Sequence, residues 1–443
     1  MLQPWRIVLA LCGPLALFAA AEEALAWGQG HRWIRRWAVA QQPAWVIEHF
    51  GAAHAASLWQ RYTSLQDHYA GNHDPALARY CTPPERVSLH DVNGVAASLR
   101  VTRWYLQQID EELRRGNFND AMKFLGVLCH WHEDPGSLSA HSSRVSEDLL
   151  RELIPPRSDQ LNKNYLYGLG WIGNEREIGL AAVQHQPQLL GTTIAEVAVQ
   201  LTHRQELLRR HAAGLIVPAV IGHVEDDQDR VNAAIADALA YNARHIADLL
   251  YSVAWVTRDK QDRPVGNIRQ TQRLTEWLSP THPGRTAQPY AVRPFLIDQS
   301  LDAARRLHPL ASFDADGRSQ PAAFGIGMGT PFKLTCQLAN AGVYDRLTMT
   351  VGLHPTAGPR GHVGFRVAVN GTDLWQHDGI GSGAAAEPVE IWLPETDVID
   401  LTLETTAVAD SESSHNLAVW IEPTLHRRPP DVQPAGQAAD EPN

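Results

Sequence analysis

His130 and Asp134 stand four positions apart, so on a helix both side chains project from one face and could grip a single cation. The pair alone is weakly specific, because a chain with 21 histidines is expected to contain an H-x-x-x-D by chance. Its surroundings are more informative. Beyond Pro135-Gly136, a short loop leads to His141, close enough to fold back over the same helix face. Upstream, Trp27-Gly28-Gln29-Gly30-His31 supplies another histidine. A free α-amino group at Trp27, together with its own carbonyl oxygen, would form a five-membered chelate that a peptide bond at that nitrogen abolishes. His132 falls on the opposite side of the helix from His130 and reads as a surface or packing residue.

The start of the chain bears on that amino group. Arg6 precedes an apolar run from Ile7 to Ala21, and Ala24-Leu25-Ala26 puts small residues at the two positions that signal peptidase reads. The spacing predicts a signal peptide over residues 1–26 and Trp27 at the mature N-terminus. The apolar run is shorter than the roughly 20 residues that span a bilayer, and Glu22 and Glu23 follow it directly. No later segment is long and apolar enough to cross a membrane, so a secreted or periplasmic protein without a transmembrane segment is expected. The formal net charge of -11, with no basic tract, argues against tight, sequence-blind binding along duplex nucleic acid, but does not exclude a phosphate substrate held by metal ions. Cys81, Cys129 and Cys336 are too few and too scattered for a disulfide framework and read as small buried apolar residues.

Two textures position these residues. Ala44 to Tyr69, Val95 to Arg115, Asn119 to Asp134, Thr193 to Ala213 and Arg230 to Val256 carry apolar residues at spacings of three and four, the signature of amphipathic helices. Asn119 is the expected N-cap of the helix bearing His130, and Pro135 its stop. Residues 261–295, rich in Arg, Gln, Pro and Thr, read as a linker or a loosely packed excursion. Strand alternation follows: Leu347, Met349, Val351 and Leu353; Val363, Phe365, Val367 and Val369; Val389, Ile391 and Leu393; Ile399, Leu401 and Leu403. Asn370-Gly371 suits a hairpin turn, and Leu417, Val419 and Ile421 supply a closing strand. The expected fold is therefore multidomain, α then β. A helical bundle over 27–260 and a linker over 261–295 precede an antiparallel β-sandwich over 296–426, with a disordered tail over 427–443.

In its helical half the chain resembles the zinc-dependent phospholipases C and the related single-strand-specific zinc nucleases, whose mature chains begin with Trp. The residues carrying the resemblance are Trp27, His31, Asp67 in Ser64-Leu65-Gln66-Asp67-His68-Tyr69, His90 in Ser88-Leu89-His90-Asp91, and the series His130, Asp134 and His141. Asp67 is matched on its neighbours, while Asp74 lies nearer the family's usual interval from His90. The resemblance implies two or three zinc ions. His90, His130 and Asp67 would hold one ion and Trp27 and His31 another, with Asp134 bridging and His141 opening a third site. Candidates to complete that third site are His185, Glu196, His203 and Glu206. The resemblance further implies a phosphodiester substrate, either a phospholipid head group or single-stranded nucleic acid, with Asp67 and Asp134 in catalytic positions. Paired divalent ions polarise a phosphoryl group and lower the pKa of water toward neutrality.

The strand-rich half resembles NPCBM-type carbohydrate-binding modules through Val343-Tyr344, Val351-Gly352-Leu353, Gly364 to Gly371, Leu374-Trp375 and Ala418-Val419-Trp420-Ile421. A glycan partner is the implied ligand. Trp375, Trp392 and Trp420 could stack on sugar rings, although Trp392 and Trp420 fall within strands and suit the sheet equally well. A phospholipase C-type phosphodiesterase is the leading expectation and a single-strand nuclease its neighbour. A glycan-binding protein without catalysis is the reading from a different class.

Overall fold

The computed structural model describes residues 28–83, 89, 92, 94–138, 185–278 and 285–429. Trp27, His90 and His141 therefore lie outside the described residues, as do the expected signal peptide and nearly all of the expected tail. The chain divides into two compact units, Met1–Ile268 and Arg269–Asn443.

The first unit is helical: α1 (Gly28–Ala40), α2 (Ala44–Phe50), α3 (Ala52–Gln60), α4 (Leu65–Asn72), α5 (Pro75–Cys81), α6 (Val95–Arg114), α7 (Phe118–Glu133), α8 (Ile194–Val224) and α9 (Gln228–Thr257). The span from Ala44 to Tyr69, expected as one helix, is divided into three. Gly51 adopts φ 76, a left-handed conformation that glycine takes without steric cost, and this ends α2. The turn after Arg61 then separates α3 from α4. The expected start of α7 is corrected too. The helix begins at Phe118 with Asn117 at its N-cap, and Asn117 Nδ2 donates to Glu112 Oε2 at 2.8 Å instead of capping the helix.

Helix α7 is the axis of this unit. Its side chains are buried continuously from Phe124 to Glu133, apolar over most of that run and polar at its C-terminal end. It closes in a 3-10 turn over Asp134–Gly136, in agreement with Pro135 acting as the stop. Close approach is built in at Gly126, where a Cβ would stand 2.8 Å from Tyr62 Cβ and 2.9 Å from Tyr62 O. That approach draws the 62–63 backbone against the C-terminal half of α7.

The second unit is an antiparallel β-sandwich. Its larger sheet has the order β12 (Glu387–Trp392), β9 (Tyr344–Leu353), β14 (Ala418–Arg427), β7 (Gly325–Met328), β2 (Phe295–Ile297), with β1 (Thr271–Arg273) also paired to β14. Two short hairpins, β3 (Gln299–Leu301) with β4 (Leu307–Pro309) and β5 (Ala311–Phe313) with β6 (Ser319–Pro321), stand beside a four-stranded sheet that runs β11 (Thr372–Gly381), β10 (His362–Val369), β13 (Val398–Ala407), β8 (Phe332–Ala339). The inner faces meet where the Phe365 and Trp420 rings lie edge to face at 5.3 Å. The expected alternation holds in β9, β10, β12 and β13, whose inward residues are buried. Asn370 at φ 52 and Gly371 at φ 80 make the β10–β11 hairpin turn, both in the left-handed region that a type I′ turn requires. In β14 the alternation fails, since Leu417 to Ile421 are all buried. This strand lies inside its sheet, and the segment around Leu310 packs against Val419 and Ile421.

In the span expected as a linker, 261–295, the described residues on either side are anchored by packing and hydrogen bonds. Arg263 donates to Val256 O at 2.8 Å, and Trp255 Nε1 donates to Pro264 O at 3.1 Å, fastening this part to the first unit. Farther on, β1 pairs with β14, and Leu274, Trp277 and Tyr290 are core residues of the second unit. These anchors do not recur at a helical or strand spacing, which is why no apolar periodicity announced them. Cys81 and Cys129 are buried free thiols and Cys336 is a half-buried one. None of the described helices is long and apolar enough to cross a membrane.

Candidate metal centre

Four of the seven sequence-predicted site residues fall within the described residues, and the first unit brings all four together. Helix α1 contributes His31, α4 contributes Asp67, and the C-terminal end of α7 contributes His130 and Asp134. His31 Nε2 and His130 Nε2 each stand 3.6 Å from Asp134 Oδ1, and His130 Nε2 stands 3.3 Å from Asp67 Oδ1. One ligand atom from each of His31, His130 and Asp134 lies within 4.8 Å of the others. The two imidazoles stack, with centroids 4.1 Å apart and planes 28° apart.

The two 3.6 Å separations exceed an ordinary hydrogen bond, and all three fit donors gathered around a shared ion. Four ligands at about 2.0 to 2.1 Å from a tetrahedral zinc are about 3.3 Å from one another. Two imidazole nitrogens with two carboxylates are also a donor set that zinc accepts. Asp134, at 14% side-chain exposure, gives the otherwise buried group its opening to the outside.

The other ring nitrogen of each histidine is already committed. His31 Nδ1 meets Glu133 Oε2 at 2.5 Å, and His130 Nδ1 donates to Thr63 O at 2.9 Å. Both contacts hold the proton on Nδ1 and turn Nε2 toward the cluster, the usual role of groups that stand behind metal-bound histidines. Glu133 is itself fixed by Arg35, whose Nε donates to Oε1 at 2.8 Å and whose Nη2 donates to Oε2 at 3.0 Å. Arg35 Nη1 donates to Tyr62 O at 2.6 Å, so one guanidinium ties α1, α7 and the 62–63 backbone together. Glu133 and Arg35 were not picked out in the sequence. The available signals were a second carboxylate beside Asp134 and an arginine one turn after His31.

Charge in the cluster follows from these contacts. Burial disfavours the imidazolium of His130, yet Asp134 and Asp67 outweigh it and push its pKa up to about 10. Burial and then His130 lower the pKa of His31, with Glu133 and Asp134 opposing. Burial works against the charge of Asp67, but His130 and His31 hold its pKa below the usual carboxylate value. Arg35 and His31 do the same for the buried Glu133. The protein alone thus presents ionised carboxylates and one imidazolium where the donor set would receive a cation.

The remaining candidates are not part of this group of three ligand atoms. Asp74 is exposed and accepts from Ala76 N at 2.9 Å as the N-cap of α5, so Asp67 and not Asp74 reaches His130. His185 Nε2 contacts Asp248 Oδ1 at 2.7 Å, Glu196 accepts from Thr192 Oγ1 at 2.8 Å, and Glu206 pairs with Arg209 at 3.0 Å. His203 is buried on α8. Among the described residues, none of these forms a second group of three ligand atoms. His132 is a packing residue and not a surface one, fully buried with Nδ1 3.3 Å from His245 Nε2.

The fold and the cluster define a helical unit carrying a candidate metal centre, followed by an antiparallel β-sandwich. Residues 314–426 of the sandwich match the NPCBM/NEW2 domain. Among solved structures, the CBM51 module of Clostridium perfringens GH95 in complex with methyl-galactose is similar at 14% identity, covering 35% of this chain and 99% of that chain with a TM-score of 0.30. The alpha-toxin of Clostridium absonum is similar at 11% identity, covering 92% of this chain and 98% of that chain with a TM-score of 0.33. The alpha-toxin of an avian strain of Clostridium perfringens is similar at 12% identity, covering 90% and 96% with a TM-score of 0.29. No curated protein matches this chain.

Proposed function

We propose that the chain is an exported, zinc-dependent phosphodiester hydrolase of the phospholipase C kind whose C-terminal unit binds a glycan. The observation that carries the catalytic reading is the approach of two imidazole Nε2 atoms to one carboxylate oxygen, each at 3.6 Å, with Asp67 alongside. Bound zinc would supply a Lewis acid for a phosphoryl oxygen and a lowered pKa for water. The chain's own residues supply the rest. Glu133 and Thr63 O orient the two imidazoles, Asp134 sits between them at the solvent side, and Asp67 is placed to accept a proton from a water at the cluster. In this reading the α-amino group of Trp27, with His90 and His141, completes the ligand set.

A zinc site that only held the helices together would be closed off by its protein ligands, whereas a site that turns over substrate needs a side open to water, and the partial exposure of Asp134 offers one. The test is hydrolysis of bis-p-nitrophenyl phosphate by the processed chain, before and after a chelator and after zinc is restored. Turnover that disappears and returns with zinc supports the proposal. A fully zinc-loaded chain without turnover sinks it and favours the glycan-binding reading.

A further inference from the structure

On the outer face of the larger sheet one aromatic side chain stands clear of the protein. Trp392, at the end of the edge strand β12, is 65% exposed, while the other large exposed apolar side chains among the described residues are aliphatic. Along β12, Val389 and Ile391 turn inward, and Pro388, Glu390 and Trp392 face out. Strand pairing sets Arg346 of β9 opposite Trp392 and Thr348 opposite Glu390. In the same row, His426 of β14 lies beyond Arg346.

These neighbours are joined to one another. The Arg346 guanidinium carbon is 6.0 Å from the Trp392 ring centroid, and its Nη1 donates to Glu390 Oε2 at 3.4 Å. Thr348 Oγ1 and His426 Nε2 are 2.7 Å apart on the same face. The result is an open indole beside a donor, an acceptor and a charge pair that cancels.

We propose that Trp392 is the stacking platform for a neutral pyranoside, with Glu390 and Arg346 reading its hydroxyls. A pyranose ring has an apolar C–H face and a polar rim, and the patch offers a complement to each: the indole face for the C–H groups, the carboxylate as acceptor, and the guanidinium as donor. The compensated charges of Arg346 and Glu390 leave no net attraction for an acidic or a basic sugar. The two other tryptophans raised by the sequence are worse placed. Trp420 is fully buried in the core, and Trp375 is half-buried on β11 beside His377. The proposal rests on the glycan-binding reading of the C-terminal unit and assigns its site.

The full chain is tested against an array of immobilised neutral glycans ending in galactose, glucose or N-acetylglucosamine, and hits are titrated calorimetrically with the native protein, Trp392→Ala and Trp392→Phe. We expect binding that weakens about tenfold or more in Trp392→Ala and less in Trp392→Phe, with unchanged melting temperature and unchanged phosphodiester turnover. Native-like glycan binding by Trp392→Ala overturns the platform while leaving the glycan reading intact. Failure of the native chain to bind any neutral glycan overturns both. Conversion of a dimer to a monomer by Trp392→Ala, without an effect on glycans, overturns it in favour of contact with a second copy.

Discussion

His31 Nδ1 and Glu133 Oε2 meet at 2.5 Å in a buried contact between residues 102 positions apart. That contact decides which nitrogen of His31 faces Asp134. Replacing Glu133 with Gln keeps the volume but removes the charge, so the ring loses its fixed orientation and part of its basicity. Zinc affinity or turnover should fall about 10- to 100-fold, as is common when a partner behind a metal ligand is lost. Zinc titration against a competing chelator checks this, and native affinity would show that Glu133 is only structural.

Arg35 is the counterweight to that buried carboxylate. Arg35→Met leaves Glu133 without its guanidinium in a fully buried setting, and loss of one partner of a buried ion pair costs about 3–5 kcal/mol. Denaturant unfolding of the metal-free protein should show a drop of that size. In the double variant Arg35→Met with Glu133→Leu, much of the loss should be recovered, because no unpaired charge remains.

Asp67 and Asp74 separate geometry from spacing. Asp67→Asn should lower zinc content and turnover about 10- to 100-fold, since Asp67 Oδ1 lies 3.3 Å from His130 Nε2. Asp74→Ala should leave both unchanged and cost about 1 kcal/mol through the lost helix cap. Metal analysis and thermal melts of the two variants distinguish them, and the reverse pattern would move the site.

The titration of His130 gives a pH signature. Its pKa in the metal-free fold, about 10, is raised above the ordinary value of 6.5, so the stabilisation it provides is complete below about 6.5 and is lost as pH rises through about 10. Metal-free protein should therefore lose stability between pH 7 and 10. Zinc must displace that proton, so binding at pH 7 should release close to one proton from this residue, measurable by calorimetry in buffers of different ionisation enthalpy. Release of no proton would contradict the assignment of His130 as a ligand.

Retaining one extra residue before Trp27 would convert its amine to an amide. If the terminus is a ligand, both zinc content and turnover fall; unchanged values would remove Trp27 from the set.

The sequence carried the fold further than it carried the site's support. Among the described residues, periodicity located α6, α7, α9 and the first two-thirds of α8, with strands β9, β10, β12 and β13, because a buried face leaves a regular trace, but it did not mark α1 or the end of α8 beyond Ala213. It misjudged Ala44 to Tyr69, where Gly51 at positive φ and the turn at 61–64 each break the helix. It also missed the buried anchors Leu274, Trp277 and Tyr290, which do not repeat at a regular spacing. At the site, His130 and Asp134 could be named from their one-turn spacing, His31 from its place just after the expected mature terminus, and Asp67 from the family resemblance. Glu133 and Arg35 could not, because their role is a pairing across 98 positions that only the tertiary fold creates.

The most direct measurement is an anomalous difference map at the zinc absorption edge from crystals of the processed, zinc-loaded chain. The account predicts a peak bonded to His31 Nε2, His130 Nε2 and Asp134, at about 2.0 to 2.2 Å from each. Zinc found only elsewhere, with these three side chains unligated, would contradict it.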